Sequence, residues 1–254
     1  MLQNRVIPCL LLNEGMLIKT RKFSDPKYIG DPINAIRIFN EKEVDELIVL
    51  DIYATRNNKE PDYGLIEQFA SECFMPLCYG GGISSLEQAK KLFALGVEKI
   101  CIQSAAIRDI SLITEIASIY GNQAVVVAVD VKRNLFGQIK LFDSAKGKIV
   151  NSINYESFMQ NVIKAGAGEI LLNFVDRDGM MEGVDYQMVS YVRKSISVPL
   201  IVMGGIGSLE HIRKTVEAGA SAVAAGSFFV YHGPHRAVLI TYPTFEELSS
   251  LFLK

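Results

Sequence analysis

The chain has 254 residues, of which 49% are hydrophobic and 21% are charged. This composition supports a large buried core and excludes an intrinsically disordered chain. Lysine and arginine total 26 against 28 aspartates and glutamates, for a formal charge of −2 at pH 7. The sequence therefore lacks the basic excess that polyanionic partners require, and we expect neither nucleic acid nor an acidic membrane as the main partner.

Signals for membrane insertion, metal binding and disulfides are weak. The longest run without a formal charge, 218–235, is interrupted by glycines and serines, and no signal-peptide pattern opens the sequence. Membrane insertion is therefore not expected. The four cysteines show neither CxxC spacing nor clustering with histidines: Cys9, Cys73, Cys78 and Cys101. We expect no metal ion, no organic cofactor and a location in the reducing cytoplasm.

Short runs rich in Val, Ile and Leu alternate along the chain with longer amphipathic stretches. The runs begin near positions 5, 46, 75, 99, 124, 169, 199 and 222. They are apolar on both faces, which is typical of parallel strands covered by helices. Eight such strands in a chain of this length predict a single (β/α)8 barrel, a TIM barrel, over residues 1–254. An open doubly wound sheet is the alternative.

Two parts of the chain repeat each other at a constant offset. The segment 76–87 matches 199–210 at Pro-Leu, at Gly-Gly-Ile and at Ser-Leu-Glu, and positions 76 and 199 differ by 123. Glu46 and Glu169 match at the same offset. We expect a barrel built from two duplicated halves. Residues 132–150 fall outside the repeat, and their glycines predict a β-hairpin inserted after the fifth strand.

Glycine-rich loops follow the third and seventh strands, and polar residues end the fourth and eighth. Backbone N–H groups in such loops can close on a phosphate at the carboxyl ends of barrel strands. We expect a first cradle formed by Gly81, Gly82, Gln103 and Ser104, and a second formed by Gly204, Gly205, Gly226 and Ser227. Lys19, placed in the loop after strand one, is within reach of a phosphate. The alternatives are glycines that only permit tight turns and a lysine that is an ordinary solvated charge.

Asp130 follows the apolar run 124–129 and is the leading acid–base candidate, because a carboxylate at the end of a hydrophobic strand needs a partner or a reaction. A structural carboxylate satisfied by loop N–H groups is the alternative. Aligning strand one with strand five places Leu11 at the equivalent position. Three further aspartates are expected near the same end of the barrel, at the end of strand two and after strand six: Asp51, Asp176 and Asp178.

Four charged residues stand at the starts of apolar strands, at the amino-terminal end of the barrel: Arg5, Glu46, Lys99 and Glu169. Two are positive and two are negative, so they can close a ring of salt bridges. The alternative is a set of solvated rim charges, which contribute little to stability.

The sequence resembles the cyclase subunit of imidazole glycerol phosphate synthase over essentially its whole length. The resemblance rests on the Asn-Arg-Val-Ile-Pro-Cys, Gly-Asp-Pro, Gly-Gly-Gly-Ile, Gly-Ala-Gly-Glu-Ile and Asp-Arg-Asp-Gly segments that begin at positions 4, 30, 80, 166 and 176, and on the run 121–130. It implies a barrel that docks a glutaminase on its amino-terminal face and passes ammonia to a phosphorylated substrate at the other end. The family's ammonia gate maps onto Arg5, Glu46, Lys99 and Glu169.

The sequence departs from the family at the mouth and in its tail. The family's cyclisation uses two strand-end aspartates, of which only Asp130 matches, because Leu11 stands in the other position. Bulkier residues are expected near the cradles: Tyr53, Gln103, Asn173 and Met203. The tail 232–243 is similar to that of paralogues assigned to acetamidino modification of surface sugars, in which barrel and glutaminase supply ammonia to a separate sugar amidotransferase.

These features predict an ammonia-channelling subunit of a glutamine amidotransferase complex. Its partners would be a glutaminase, a sugar amidotransferase and a phosphorylated small molecule. The first alternative is a cyclase, a lyase-type enzyme of histidine biosynthesis. The second is a scaffold that binds a phosphorylated metabolite without turnover.

Overall fold

The computed structural model describes residues 4–252, in which eight parallel strands close into a barrel. Each strand pairs with its neighbours in the order of the chain, and the last pairs with the first through Arg5 and Ala222. This confirms the (β/α)8 barrel, and every predicted start lies within two residues of a strand. The barrel strands are β1 (Arg5–Asn13), β4 (Leu47–Asp51), β5 (Leu77–Gly80), β6 (Lys99–Ile102), β7 (Val125–Arg133), β10 (Glu169–Phe174), β11 (Leu200–Met203) and β12 (Ala222–Ala225).

Helices cover the outside of the barrel because their apolar stripes pack on the outward-facing side chains of the strands. In chain order they are α1 (Pro32–Glu41), α2 (Tyr63–Glu72), α3 (Leu86–Ala94), α4 (Ser104–Arg108), α5 (Ser111–Tyr120), α6 (Tyr155–Lys164), α7 (Tyr186–Ser195), α8 (Leu209–Glu217), α9 (Ser227–Val230) and α10 (Phe245–Phe252). None of the helices within residues 4–252 is both long enough and apolar enough to cross a membrane.

The internal repeat is visible in the local structure of the two halves. α3 and α8 have nine residues each, and each begins after a serine whose side chain accepts a hydrogen bond from a backbone N–H three residues later. These N-caps, Ser85 and Ser208, are 123 residues apart, as are the left-handed glycines Gly96 and Gly219. The equivalent caps and turns agree with the predicted half-barrel duplication.

Two hairpins rise from the carboxyl ends of barrel strands. The predicted insertion is present as β8 (Ile139–Asp143) and β9 (Lys148–Ile149), and β8 pairs with an extension of β7. The other hairpin, formed by β2 (Met16–Arg21) and β3 (Ser24–Gly30), was not predicted from the sequence. Lys19 therefore lies in a strand and not in a loop. The signal was the pair Glu14-Gly15, whose positive φ angles form a two-residue turn between β1 and β2.

Side chains alternate across β1 and divide the core into two parts. Val6 and Leu10 belong to the layer between barrel and helices, whereas Ile7, Cys9 and Leu11 face the barrel interior. The interior is apolar and contains small side chains and three cysteines: Ile7, Cys9, Ile48, Cys78, Cys101, Val126, Leu171, Ile201, Met203, Ala222 and Ala224. This apolar column connects the two ends of the barrel.

After β12 the chain forms a small tail hairpin of β13 (Tyr231–His232) and β14 (Ala237–Val238). The segment that follows runs back along the barrel, where the Tyr242 hydroxyl donates to the carbonyl of Val6 at 2.7 Å. Tyr242 is buried, so this hydrogen bond fastens the C-terminal segment to the first strand.

Candidate functional site

A cavity of about 120 Å³ opens at the carboxyl ends of the barrel strands. We call it the mouth cavity. Its polar lining includes Asp51, Gln103, Asp130, Asn173 and Asp178, and its apolar lining includes Leu11, Leu50 and Met203. Phe23 from the first hairpin lies over it, with its ring 6.0 Å from that of Phe142 in the second hairpin. The two hairpins thus cover the mouth, as expected for the end of a barrel at which reactive groups gather.

Asp130 is buried in the mouth cavity and lies inside β7, which continues to Arg133 rather than ending at the aspartate. Its carboxylate accepts hydrogen bonds from Gln103 Nε2 at 2.8 Å and from Asn173 Nδ2 at 3.1 Å. Burial nevertheless raises the pKa of Asp130 to about 7, because it disfavours the charged form more strongly than the amide donors favour it. The group can hold or release a proton near neutral pH.

Asn173 carries an unusual free acceptor. Its side chain is 4% exposed, and its Oδ1 has no hydrogen-bond partner within residues 4–252. A buried carbonyl oxygen without a donor costs free energy unless a ligand or water completes it. Asn173 lines the mouth cavity, but this oxygen itself is enclosed beside Gly204, on which a Cβ would lie 2.6 Å from it.

The other aspartates occupy different environments. Asp178 lines the mouth cavity and accepts from Thr20 Oγ1 at 3.3 Å, and burial raises its pKa to about 6. Asp51, which ends β4 as expected, accepts from the backbone of its own turn, and burial raises its pKa. Asp176 is tied to the backbone N–H of Arg133 at 2.8 Å. Asp130 and Asp178, whose pKa values burial raises furthest, are therefore the leading acid–base candidates of the cavity.

The second cradle is a compact pocket beside the mouth cavity, lined by Lys19, Gly204, Gly205, Gly226 and Ser227. The solvated-charge alternative for Lys19 is wrong, because the residue is 4% exposed and its ammonium donates to the Cys9 carbonyl at 2.6 Å. A Cβ on Gly226 would lie 2.4 Å from Lys19 Nζ. Glycine is therefore needed for the lysine to reach the pocket.

In the first cradle, polar groups that were predicted to bind phosphate are hydrogen-bonded to other residues of the protein. Ser104 Oγ donates to Asp143 Oδ1 at 3.0 Å, and Gly82 N–H donates to Thr55 Oγ1 at 3.1 Å. Gln103 is bound to Asp130 and to the inserted hairpin. Asp143 itself is 1% exposed. Asp143 and Thr55 were not predicted from the sequence, because their contacts join distant segments.

Tyr53 does not crowd the mouth as the sequence analysis expected. It lines a neighbouring cavity with Glu60 and Asp62, and its ring lies under Arg56, 5.5 Å from the guanidinium carbon. Of the four bulky residues, Gln103, Asn173 and Met203 line the mouth cavity.

The four charges at the amino-terminal end form a closed ring. Lys99 Nζ lies 3.0 Å from carboxylate oxygens of both Glu46 and Glu169, and Arg5 bonds to the same two residues, to Glu169 at 3.0 Å. The Glu46 side chain is 2% exposed. Burial lowers the pKa of Lys99, but the two carboxylates outweigh it and the net pKa is raised. The ring is thus a partly buried network rather than a set of solvated rim charges.

Within residues 4–252 no group of three or more metal-binding side chains occurs. A titratable cavity at the carboxyl ends of the strands, with a glycine-lined pocket beside it, defines the class: a (β/α)8 barrel with an enzyme-type site. A family model described as "Histidine biosynthesis protein" matches residues 5–235. The chain belongs to this family and is a HisF-type synthase subunit.

Relatives cover nearly the whole chain. A Pseudomonas aeruginosa protein provisionally named imidazole glycerol phosphate synthase subunit hisF2 is 52% identical over 249 residues, 98% of this chain and 99% of its own. A Leptospira interrogans protein with the provisional name HisF of the same synthase is 51% identical over 253 residues, 99% of this chain and all of its own. The Exiguobacterium sibiricum imidazole glycerol phosphate synthase subunit HisF is 37% identical over 229 residues, 90% of this chain and 91% of its own.

Proposed function

We propose that this chain is the ammonia-conducting subunit of a glutamine-dependent amidotransferase complex that serves amidino modification of a surface-polysaccharide sugar. In this proposal a glutaminase docks on the amino-terminal face, and a separate sugar amidotransferase receives the nitrogen. The observation that carries the proposal is an intact charged ring (Arg5, Glu46, Lys99, Glu169) at one end of an apolar barrel whose other end has Leu11 where the family resemblance implies a second catalytic aspartate.

The charged ring supplies the entrance. Its two cations and two carboxylates alternate, so each charge has partners on both sides. Such a ring is stable when closed and can open by rotation of one long side chain, most simply that of Lys99, whose four-carbon stem is flexible. Opening towards a docked glutaminase would admit a molecule as small as ammonia.

The apolar column behind the ring supplies the conduit. Interior residues such as Cys78, Ala222 and Ala224 leave no charge between ring and mouth. A charged ammonium ion would lose its hydration there at large cost, whereas neutral ammonia is far less penalised. The column therefore favours NH3 over NH4+ and keeps bulk water away from it.

The mouth supplies the exit. Asn173 Oδ1 is an unused buried acceptor, and Asp130, with its pKa near 7, accepts from the Asn173 amide beside it. Ammonia can donate an N–H bond to the Asp130 carboxylate and leave a proton on it as it reacts. Leu11 lines the same cavity but cannot transfer a proton. Ring closure as practised with two strand-end aspartates is therefore disfavoured.

The names of the relatives bear on both candidate functions. Identity is 52% and 48% with proteins whose provisional names are hisF2 and hisF3, 51% with one whose provisional name is HisF without a number, and 37% with one named simply as the synthase subunit HisF. The numbered names fit a paralogue, whereas the unnumbered names favour the histidine-biosynthesis candidate below.

The test is reconstitution with a glutaminase partner, amide-15N glutamine and candidate sugar acceptors. We expect the chain to stimulate glutamine hydrolysis and 15N to reach the acceptor only when all components are present. With Lys99→Ala, glutamate production should continue while nitrogen transfer falls, and added ammonium salt should restore transfer. The matched control is Lys90→Ala, which removes an exposed lysine of the α3 surface. A chain that neither binds the glutaminase nor stimulates it contradicts the proposal.

A second candidate is the cyclase of histidine biosynthesis. It is favoured by the presence of two carboxylates with raised pKa, Asp130 and Asp178, in one cavity beside Lys19. Growth of a cyclase-deficient strain without histidine, when supplied with this chain, would establish that reading and displace the first.

A further inference from the structure

The tail hairpin, which the proposed function leaves without a role, forms a second pocket against the first hairpin. This tail cavity measures about 230 Å³ and adjoins the second cradle. Strands β2 and β3 contribute Lys19, Arg21 and Lys27, and the tail contributes Tyr231, His235 and Arg236. It shares Lys19, Gly179 and Ser227 with the second cradle. The two pockets are therefore continuous.

The tail cavity is strongly basic. Four cationic side chains, Lys19, Arg21, Lys27 and Arg236, line it against the single carboxylate of Asp25. Lys19 and Lys27 are directly paired across the β2–β3 ladder, so their side chains share one face of the sheet. Like charges placed directly opposite each other are destabilising, and an anion between them would relieve the repulsion.

Arg236 is held towards this cavity by the backbone. It has a φ of +50°, in the left-handed region that non-glycine residues seldom adopt. Its guanidinium donates only at 3.3 Å and 3.5 Å, to the carbonyls of Gly179 and Met180. These are long bonds, and a guanidinium has five N–H donors, so capacity for an anion remains.

Lys19 links the two pockets. Its ammonium is buried, lines both, and makes one hydrogen bond within residues 4–252, to the Cys9 carbonyl. An ammonium has three donors, which leaves two that a ligand can use. A buried cation with unused donors between Gly226 and a basic pocket favours an anionic ligand that spans both pockets.

The opposite side of the mouth offers less to a second phosphate. In the first cradle the Ser104 hydroxyl and the Gly82 N–H already donate to Asp143 and Thr55. The buried Asp143 carboxylate would also repel a phosphate placed there. The second cradle also contains a carboxylate, that of Asp178, so the difference between the two sides lies in their free donors, which a ligand with two phosphates finds beside Lys19.

We propose that the second cradle and the tail cavity together bind two adjacent phosphates, those of a diphosphate ester. One phosphate contacts Lys19 and the Gly226 loop, and the other contacts Lys27 and Arg236. Thr20 borders the second cradle, the tail cavity and the mouth cavity, so the organic part of the ester can extend over Asp130. This assignment rests on the proposed function only in naming that ester as the sugar substrate that the separate amidotransferase modifies at this mouth.

The experiment is isothermal titration of the full chain with inorganic phosphate, inorganic pyrophosphate and UDP-N-acetylglucosamine. We expect pyrophosphate to bind about tenfold more tightly than phosphate, the difference of one set of charge-assisted hydrogen bonds. Lys27→Gln and Arg236→Gln should each weaken the binding of pyrophosphate by about tenfold and leave the binding of phosphate nearly unchanged. Lys22→Gln, which removes an exposed charge from the same hairpin outside the cavity lining, is the matched control.

The nucleotide sugar separates the two sources of a diphosphate. Binding of UDP-N-acetylglucosamine at least as tight as that of pyrophosphate supports an ester, whereas binding of pyrophosphate alone overturns it. Equal affinity for phosphate and pyrophosphate, no binding of either, or an equal loss in Lys22→Gln also overturns the proposal. Stimulation of the glutaminase, measured on the same variants, should be unchanged. Failure of the wild-type chain to stimulate the glutaminase would instead contradict the proposed function.

Discussion

Replacing Lys99 by methionine should destabilise the charged ring more than the loss of one exposed charge would. Methionine keeps most of the length and apolar stem of the side chain, so the change isolates the ammonium group. In wild type that ammonium lies 3.0 Å from both Glu46 and Glu169, and the Lys99 side chain is only 16% exposed. After the change, Arg5 alone must neutralise two carboxylates.

Removing one partner of a fully buried ion pair costs about 3–5 kcal/mol, because the remaining charge is left uncompensated. The ring is partly exposed and Arg5 stays in place, so we expect the free energy of unfolding to fall by the lower end of this range, about 3 kcal/mol at pH 7. For a chain of this size that loss corresponds to a fall in melting temperature of roughly 6–10 °C. The loss should be no larger at pH 5 than at pH 7, since the raised pKa of Lys99 keeps its ammonium charged at both.

Urea unfolding followed by circular dichroism, at pH 7 and pH 5, measures both effects. Lys90→Met is the matched control, because Lys90 pairs with Glu87 at 2.7 Å on the exposed surface of α3 and surface pairs contribute little. A loss in Lys99→Met no larger than in Lys90→Met would refute the reasoning. So would a loss that grows at the lower pH.

Three further outcomes are expected. Burial raises the pKa of Asp130 to about 7, so ionisation of this group at higher pH opposes folding. Between pH 5 and pH 8 the free energy of unfolding of wild type, measured relative to that of Asp130→Asn in denaturant titrations, should therefore fall by about 2–3 kcal/mol. Leu11→Asp should not restore cyclase turnover in a substrate-depletion assay, since Met203 still narrows the mouth cavity; a gain of about 100-fold, typical of a working acid, would contradict this. Tyr242→Phe removes the hydrogen bond to Val6 and should cost about 1 kcal/mol in chemical denaturation.

The barrel could be predicted because each strand carries its own signal. Runs such as 125–129 and 200–203 are apolar on both faces, and parallel strands inside a helical layer require that property. The charged ring followed from the same signal, since Arg5, Lys99 and Glu169 begin strands and residues that begin parallel strands meet at one end of a barrel.

What the sequence did not reveal depends on contacts between distant segments. Asp143 meets Ser104 because the inserted hairpin folds back over the first cradle, and no local pattern encodes that distance. In the sequence Lys19 resembles a loop charge because its strand is short. The strand faces the second cradle, so the burial of Lys19 depends on distant neighbours such as Gly226. Tyr53 was misplaced because the turn after β4 directs it to the neighbouring cavity.

The apolar column also determines the reactivity of the three cysteines in the barrel interior. Burial raises the pKa values of Cys9, Cys78 and Cys101, that of Cys9 to about 12. Thiols in this state are poor nucleophiles. Cys101 lines the mouth cavity and Cys9 lines the second cradle, whereas Cys78 lines neither. The rate at which an alkylating reagent labels Cys78 therefore reports on opening of the barrel interior. Under the proposed function, that rate should rise when a glutaminase docks and the charged ring opens.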